Sequence, residues 1–202
     1  MSQIALPLEL RDRSDPDRIV IGNANRHVFE ALADPAGWPY RTAVLTGPAR
    51  SGKSLVGKWA TSQGVAVIDD AETVDETQLF HRWNAAQESG KPLLLIANTQ
   101  PWNIALPDLR SRLGGSLQLE MGEPDDDMAG QLIETIAAQR GLALAEGATD
   151  YLVPRIERSF AGIERLVKTI DRISLERKAP ATMSVWRDAL DQTQGPEQGR
   201  LL

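Results

Sequence analysis

The run Gly47-Pro48-Ala49-Arg50-Ser51-Gly52-Lys53-Ser54 fits the pattern G-x-x-x-x-G-K-[ST], and no other stretch constrains the fold as tightly. Residues 42–46 before it are apolar and β-prone, and residues 55–62 after it can be helical. A strand must therefore run into a glycine-rich turn that opens a helix, so that backbone N–H groups and the helix N-terminus face an anion. In that setting Lys53 reaches the β- and γ-phosphates of a nucleotide, and the Ser54 hydroxyl binds Mg²⁺. The whole loop, Gly47, Pro48, Ala49, Arg50, Ser51, Gly52, Lys53 and Ser54, is the predicted cradle, with ADP or ATP and Mg²⁺ as its ligands. A strand-to-helix turn without a ligand is the weaker reading, because motif and context agree.

The bulk properties narrow the class. A chain of 202 residues accommodates one or two small domains. A net charge of −6 and a pI near 5.0 argue against broad electrostatic binding to DNA. No cysteine and only His27 and His81 are present, which removes disulfides, thiolate metal sites and a histidine-built metal centre. No apolar run approaches the ~20 residues that cross a bilayer. The N-terminus lacks the basic-then-apolar layout of a secretion signal. A soluble cytoplasmic protein without membrane contact is expected.

The segment Val65-Ala66-Val67-Ile68-Asp69-Asp70 reads as a short buried strand ending in two carboxylates. After a phosphate loop this is the Walker B pattern: Asp69 helps hold Mg²⁺, and Asp70 can orient an attacking water. Glu72 lies close by and could serve as a helper, but the favoured reading is a plain helix-starting acid. Residues 76–88 carry Leu79, Trp83 and Ala86 at helical spacing. Leu93-Leu94-Leu95-Ile96-Ala97 is a continuous apolar strand, as expected in a parallel sheet covered on both faces. Asn98 follows at its C-terminal end, the edge where open parallel sheets bind ligands. There its amide could meet a γ-phosphate or the attacking water, or simply begin a turn. Residues 117–119 give a fourth strand. From Asp125 onward only helical patterns follow: 125–139, 148–158, 162–178 and 183–192. The expected fold is therefore α/β, a parallel-sheet nucleotide-binding layer over residues 19–122. A helical lid over 123–192 follows it, with a peptide and linker before (1–18) and a flexible tail after (193–202).

This order of motifs resembles the AAA+ ATPases, and within them the DnaA family of replication initiators. Asp69-Asp70, Gln78-Leu79-Phe80-His81-Arg82-Trp83-Asn84-Ala85 and Ser89-Gly90-Lys91 look like that family's Walker B stretch and following helix. Leu106-Pro107-Asp108-Leu109-Arg110-Ser111-Arg112-Leu113 looks like its box VII. By that match Arg112 is an arginine finger acting in trans on a neighbour's nucleotide. Asn98 falls at sensor 1, and Ile21-Gly22-x-Ala24-Asn25 resembles the first box near the adenine. The resemblance implies an AAA+ fold over about residues 17–176.

Three departures qualify it. The stretch between Lys53 and Asp69 is too short for the family's usual strand–helix pair, so the sheet should have one strand fewer. Ala161 stands where the sensor 2 arginine is expected, with Arg158 and Arg165 as the nearest substitutes; weak or no self-hydrolysis follows. No basic helix-turn-helix segment appears, so DNA contact is expected only indirectly.

Gln3-Ile4-Ala5-Leu6-Pro7-Leu8 looks like the Q-x-x-L-P-L peptide that docks on the DNA polymerase sliding clamp. Leu6 and Leu8 supply apolar area, Pro7 limits the free peptide's entropy, and Gln3 is a polar anchor. With the DnaA-like core, this implies a negative regulator of replication initiation whose partners are the clamp (Gln3, Ile4, Leu6, Pro7, Leu8) and DnaA, with a homodimer also open. Arg112 would promote hydrolysis of DnaA-bound ATP. Two alternatives stay open: a self-hydrolysing AAA+ ATPase acting on DNA or a replication factor, and a non-catalytic clamp adaptor. The five tryptophans are read as core or interface residues, and Asp125-Asp126-Asp127 as acids favouring a helix N-terminus.

Overall fold

The computed structural model describes residues 19–98 and 101–194; the sequence-predicted clamp peptide lies outside them. Strands β1 (Thr42–Thr46), β2 (Ala66–Ile68), β3 (Leu93–Ile96) and β4 (Leu117–Glu120) form a four-stranded sheet in the order β2-β3-β1-β4. Every pairing is parallel, with Val44 level with Leu95 on one side and Gln118 on the other. The central strands are buried on both faces, which is why their sequences read as unbroken apolar runs. The period of two divides them cleanly. Ala43, Leu45, Leu94 and Ile96 pack with Val28 and Leu32 of α1 (Arg26–Ala33) and with Val56 and Ala60 of α2 (Lys53–Ser62). On the other face Val44, Leu93 and Leu95 meet Leu79, Trp83 and Ala86 of α3 (Glu76–Ser89) and Leu109 and Leu113 of α4 (Pro107–Gly114).

Between the end of α2 and Ala66 the chain has room only for a turn around Gly64, so β2 pairs directly with β3 at the sheet edge. This is the shortened sheet expected from the Lys53–Asp69 spacing.

The helical part comprises α5 (Asp126–Gln139), α6 (Ala148–Leu152), α7 (Phe160–Arg177) and α8 (Met183–Gln194) around Ile133, Leu152, Ile163, Leu166, Ile170 and Trp186. Asp125 caps α5 by accepting the Met128 N–H at 2.9 Å, as the acid run suggested. The helix predicted over 148–158 is corrected: it ends at Leu152, passes through a 3-10 turn over Val153–Arg155, and is extended at Ile156. Pro154 has no N–H to continue the ladder, and Ser159 caps the next helix by accepting the Gly162 N–H at 3.0 Å.

Two loops join the layers. Asn23 donates to the Glu123 carbonyl at 3.0 Å and accepts from the Asp125 N–H at 3.0 Å. The Gly122 N–H reaches the Ala24 carbonyl at 2.8 Å. Ala24, Met128 and Phe160 form a small apolar cluster at this junction.

Candidate functional site

A cleft of about 530 Å³ lies where the loop of residues 19–25, the loop after β1, and helices α5 and α7 converge. Arg50, Ser51, Gly52, Lys53 and Ser54 line it, together with Asn25, Asn98 and Glu164. Gly47 adopts φ +149°, and a Cβ there would stand 2.5 Å from Met121 Cβ, so the loop can leave β1 only as glycine. Gly52 takes φ +90°, the left-handed turn that starts α2.

Lys53 is only 5% exposed. Its Nζ donates to the carbonyls of Gly47 at 2.9 Å and Pro48 at 2.8 Å. Burial pushes its pKa down, and the charges of Glu72, Asp69 and Asp70 oppose that shift. The Ser51 hydroxyl is buried without a hydrogen-bond partner. A buried ammonium, an orphaned hydroxyl and a glycine-shaped turn at one helix N-terminus fit a phosphate chain.

The acid pair and the polar strand tip lie together. Asn98 Nδ2 donates to Asp70 Oδ1 at 2.5 Å, and Asp69 Oδ1 accepts the Asp70 N–H at 3.0 Å. Asp70 sits at φ +50°, which bends the chain sharply after β2. Asn98 lines the cleft, whereas Asp69 and Asp70 act on it through their field at Lys53.

Glu72 is more than a helix-starting acid. Its Oε1 accepts the Asn98 N–H at 2.9 Å, its Oε2 is buried without a partner, and it opposes the pKa shift of Lys53 more than either aspartate. The only sequence signal was its position two residues beyond Asp70.

The expected stand-ins for a sensor 2 arginine do not reach the cleft. Arg158 pairs with Asp126 and Arg165 with Glu157, at 2.9 and 3.1 Å, and neither residue lines it. From α7 the cleft receives Glu164 and Lys168. Glu164 accepts from Arg50 Nε at 2.5 Å and pairs with Lys168 at 2.7 Å. These contacts, with the Arg50 hydrogen bonds foremost, hold its carboxyl at about 2 despite partial burial.

Arg112 lies in the last turn of α4, away from the cleft lining. Its guanidinium sits 4.5 Å from the Phe80 ring centroid and 4.4 Å from that of Trp83, and donates to Asn84 Oδ1 at 2.5 Å.

No family model matches this sequence. A Haemophilus influenzae protein described as uncharacterized is 27% identical over 172 residues, covering 80% of this chain and 74% of its own. Among solved structures, domain III of the Thermotoga maritima replication initiation protein DnaA has a TM-score of 0.75 at 14% identity, over 91% of this chain and 98% of its own. AMPPCP-bound DnaA from Aquifex aeolicus has a TM-score of 0.61 at 20% identity, covering 84% and 69%. The Thermotoga maritima RuvB Holliday junction branch migration motor has a TM-score of 0.61 at 17% identity, covering 91% and 72%. The fold is that of DnaA domain III, shared with RuvB. Among the described residues no helix is long and apolar enough to cross a membrane.

Proposed function

We propose that this chain is a nucleotide-binding regulator of replication initiation, of the DnaA-related kind that Hda represents, acting through Arg112 on ATP held by DnaA. The observation that carries this reading is the position of Arg112. It sits half-buried in the last turn of α4, outside its own cleft and held by Phe80, Trp83 and Asn84, so on this reading it swings off those partners to meet a nucleotide on another subunit. A cation supplied in trans offsets charge developing on a transferring phosphoryl group, and in GTPases such a finger contributes about 10³–10⁵ in rate. The chain's own loop, residues 47–54, would hold ADP or ATP, with Ser54 and Asp69 as the protein's contribution to a Mg²⁺ site. With Ala161 at the sensor 2 position and Arg158 and Arg165 engaged elsewhere, that nucleotide serves structure more than turnover.

Residues 3–8 supply the proposed tether to the sliding clamp, which raises the local concentration of two weak contacts. Calorimetry of wild type beside a Gln3→Ala, Leu6→Ala double variant tests that contact: binding by the first and not the second is expected. The finger is tested by adding the chain to ATP-loaded DnaA and following phosphate release. Stimulation by wild type and none by Arg112→Ala is expected; full stimulation by the variant removes the mechanism.

The Asp70–Asn98 contact supports a second reading, a self-hydrolysing ATPase acting on DNA or a replication factor. Steady-state hydrolysis by the chain alone, lost in Asn98→Ala, would favour it.

A further inference from the structure

The phosphate loop of this chain carries an arginine at its fourth position, and that arginine is held by the lid. Arg50 has φ +65°, a left-handed backbone conformation that few non-glycine residues adopt. Its guanidinium grips Glu164 side-on along one edge: Nε donates to Oε2 at 2.5 Å, and a terminal nitrogen donates to Oε1. The same carboxylate takes Lys168 at 2.7 Å. All three residues line the cleft that Lys53 and Ser54 line. Arg140, the other arginine on that lining, is bound to Asp171 at 2.6 Å and belongs to the lid's own framework.

We propose that Glu164 is a built-in counter-anion for the phosphate loop: it masks Arg50 and Lys168 in the closed lid and yields them to the phosphates of an incoming nucleotide. The proposal rests on the nucleotide-binding reading above. Three observations carry it. The pair joins residues 114 positions apart across the cleft, a direct side-chain link between α7 and the loop of residues 47–54. Arg50 is in the loop that would wrap the phosphates, so a guanidinium released there has an anion to meet. The carboxylate is charged under all physiological conditions, so Glu164 competes with that anion. The loop supplies Arg50, and the lid supplies both the carboxylate Glu164 and the cation Lys168.

The test is calorimetric titration of the full chain with Mg·ADP. Wild type is compared with Glu164→Gln, Arg50→Gln and the double variant, with ligand-free melting curves to establish folding. Removing the competing charge is expected to tighten binding about two- to fivefold, the range of a partly exposed ion pair. Arg50→Gln is expected to weaken binding by about the same factor, and in that background the loss of Glu164 gains markedly less. Glu164→Asp keeps the charge and stays within about twofold of wild type.

If wild type binds and folded Glu164→Gln binds equally or more weakly, the masking is overturned while the nucleotide reading stands. Binding by Glu164→Gln alone supports masking in its strongest form. Binding by neither overturns both. Should Glu164→Gln fail to fold, Arg50→Gln decides: weaker binding supports the proposal, and equal or tighter binding overturns it.

Discussion

Asn25 ties the loop that walls the cleft to its own start, and replacing it with alanine tests how that wall is held. The residue is 2% exposed. Its Oδ1 accepts the Gly22 N–H at 2.9 Å, and its Nδ2 donates to the Val20 carbonyl at 2.8 Å. It precedes α1 without capping it by its side chain, so the variant loses no helix cap. What remains is two hydrogen bonds with very different consequences. Gly22 is buried, so its N–H is left without water or partner at a cost of about 1–3 kcal/mol. Val20 is half-buried, so its carbonyl can recruit water and the loss there is about 0.5–1.5 kcal/mol. The sum, about 1.5–4.5 kcal/mol, lowers the melting temperature by roughly 5–15 °C for a chain of this size. Urea unfolding of wild type and Asn25→Ala, with Glu30→Ala on the exposed side of α1 as a control, measures it. The same variants titrated with ADP show whether the wall matters for binding. An Asn25→Ala protein within about 0.5 kcal/mol of wild type would refute the argument, because it would mean the loop re-pairs its backbone without the amide.

Gly47→Ala places a methyl group against Met121 at a positive φ, so a loss of about 2–4 kcal/mol is expected in denaturant unfolding. Lys53→Met removes a buried ammonium but keeps its stem. Stability is expected to stay within about 1 kcal/mol of wild type, while ADP affinity measured by calorimetry falls at least about tenfold. The Glu164 carboxyl titrates at about 2 in the folded chain against 4.5 as its ordinary value, so its ion pairs contribute stability above 4.5 that is lost as pH falls through 2. The stability gap between wild type and Glu164→Gln should accordingly be level near neutral pH and close progressively in melts taken below 4.5.

What was legible in the sequence was what local chemistry dictates. The glycine turn into α2, the two apolar central strands and the carboxylates after Ile68 are set by patterns within a few residues. The short span from Lys53 to Asp69 announced the missing strand because chain length alone excludes a strand–helix pair there. The helix break after Leu152 was also written locally, in Pro154 and in the capping Ser159, but the apolar spacing of residues 148–158 masks it. The contacts of Glu72 and Glu164 were not legible. Glu72 meets Asn98 across 26 positions and Glu164 meets Arg50 across 114, and acids at such spacings look like any solvated helix surface. Most of the lid's charges are of that ordinary kind, as in Arg172 with Glu176 and Arg177 with Asp188.

The two carboxylates divide the site electrostatically. Glu72 acts on Lys53 from the turn after β2, beside Asp69 and Asp70, and accepts the Asn98 backbone N–H, so the negative charge on that side is tied to a strand end. Glu164 approaches from a helix that packs on other helices and touches the loop through side chains. Breaking the first contact disturbs the strand ends; breaking the second leaves each layer's core intact. An anion entering between them therefore meets a rigid negative wall behind Lys53 and a replaceable one in front of Arg50. On the proposal above, ligand-driven motion is expected at the junction of α7 with the loop of residues 47–54.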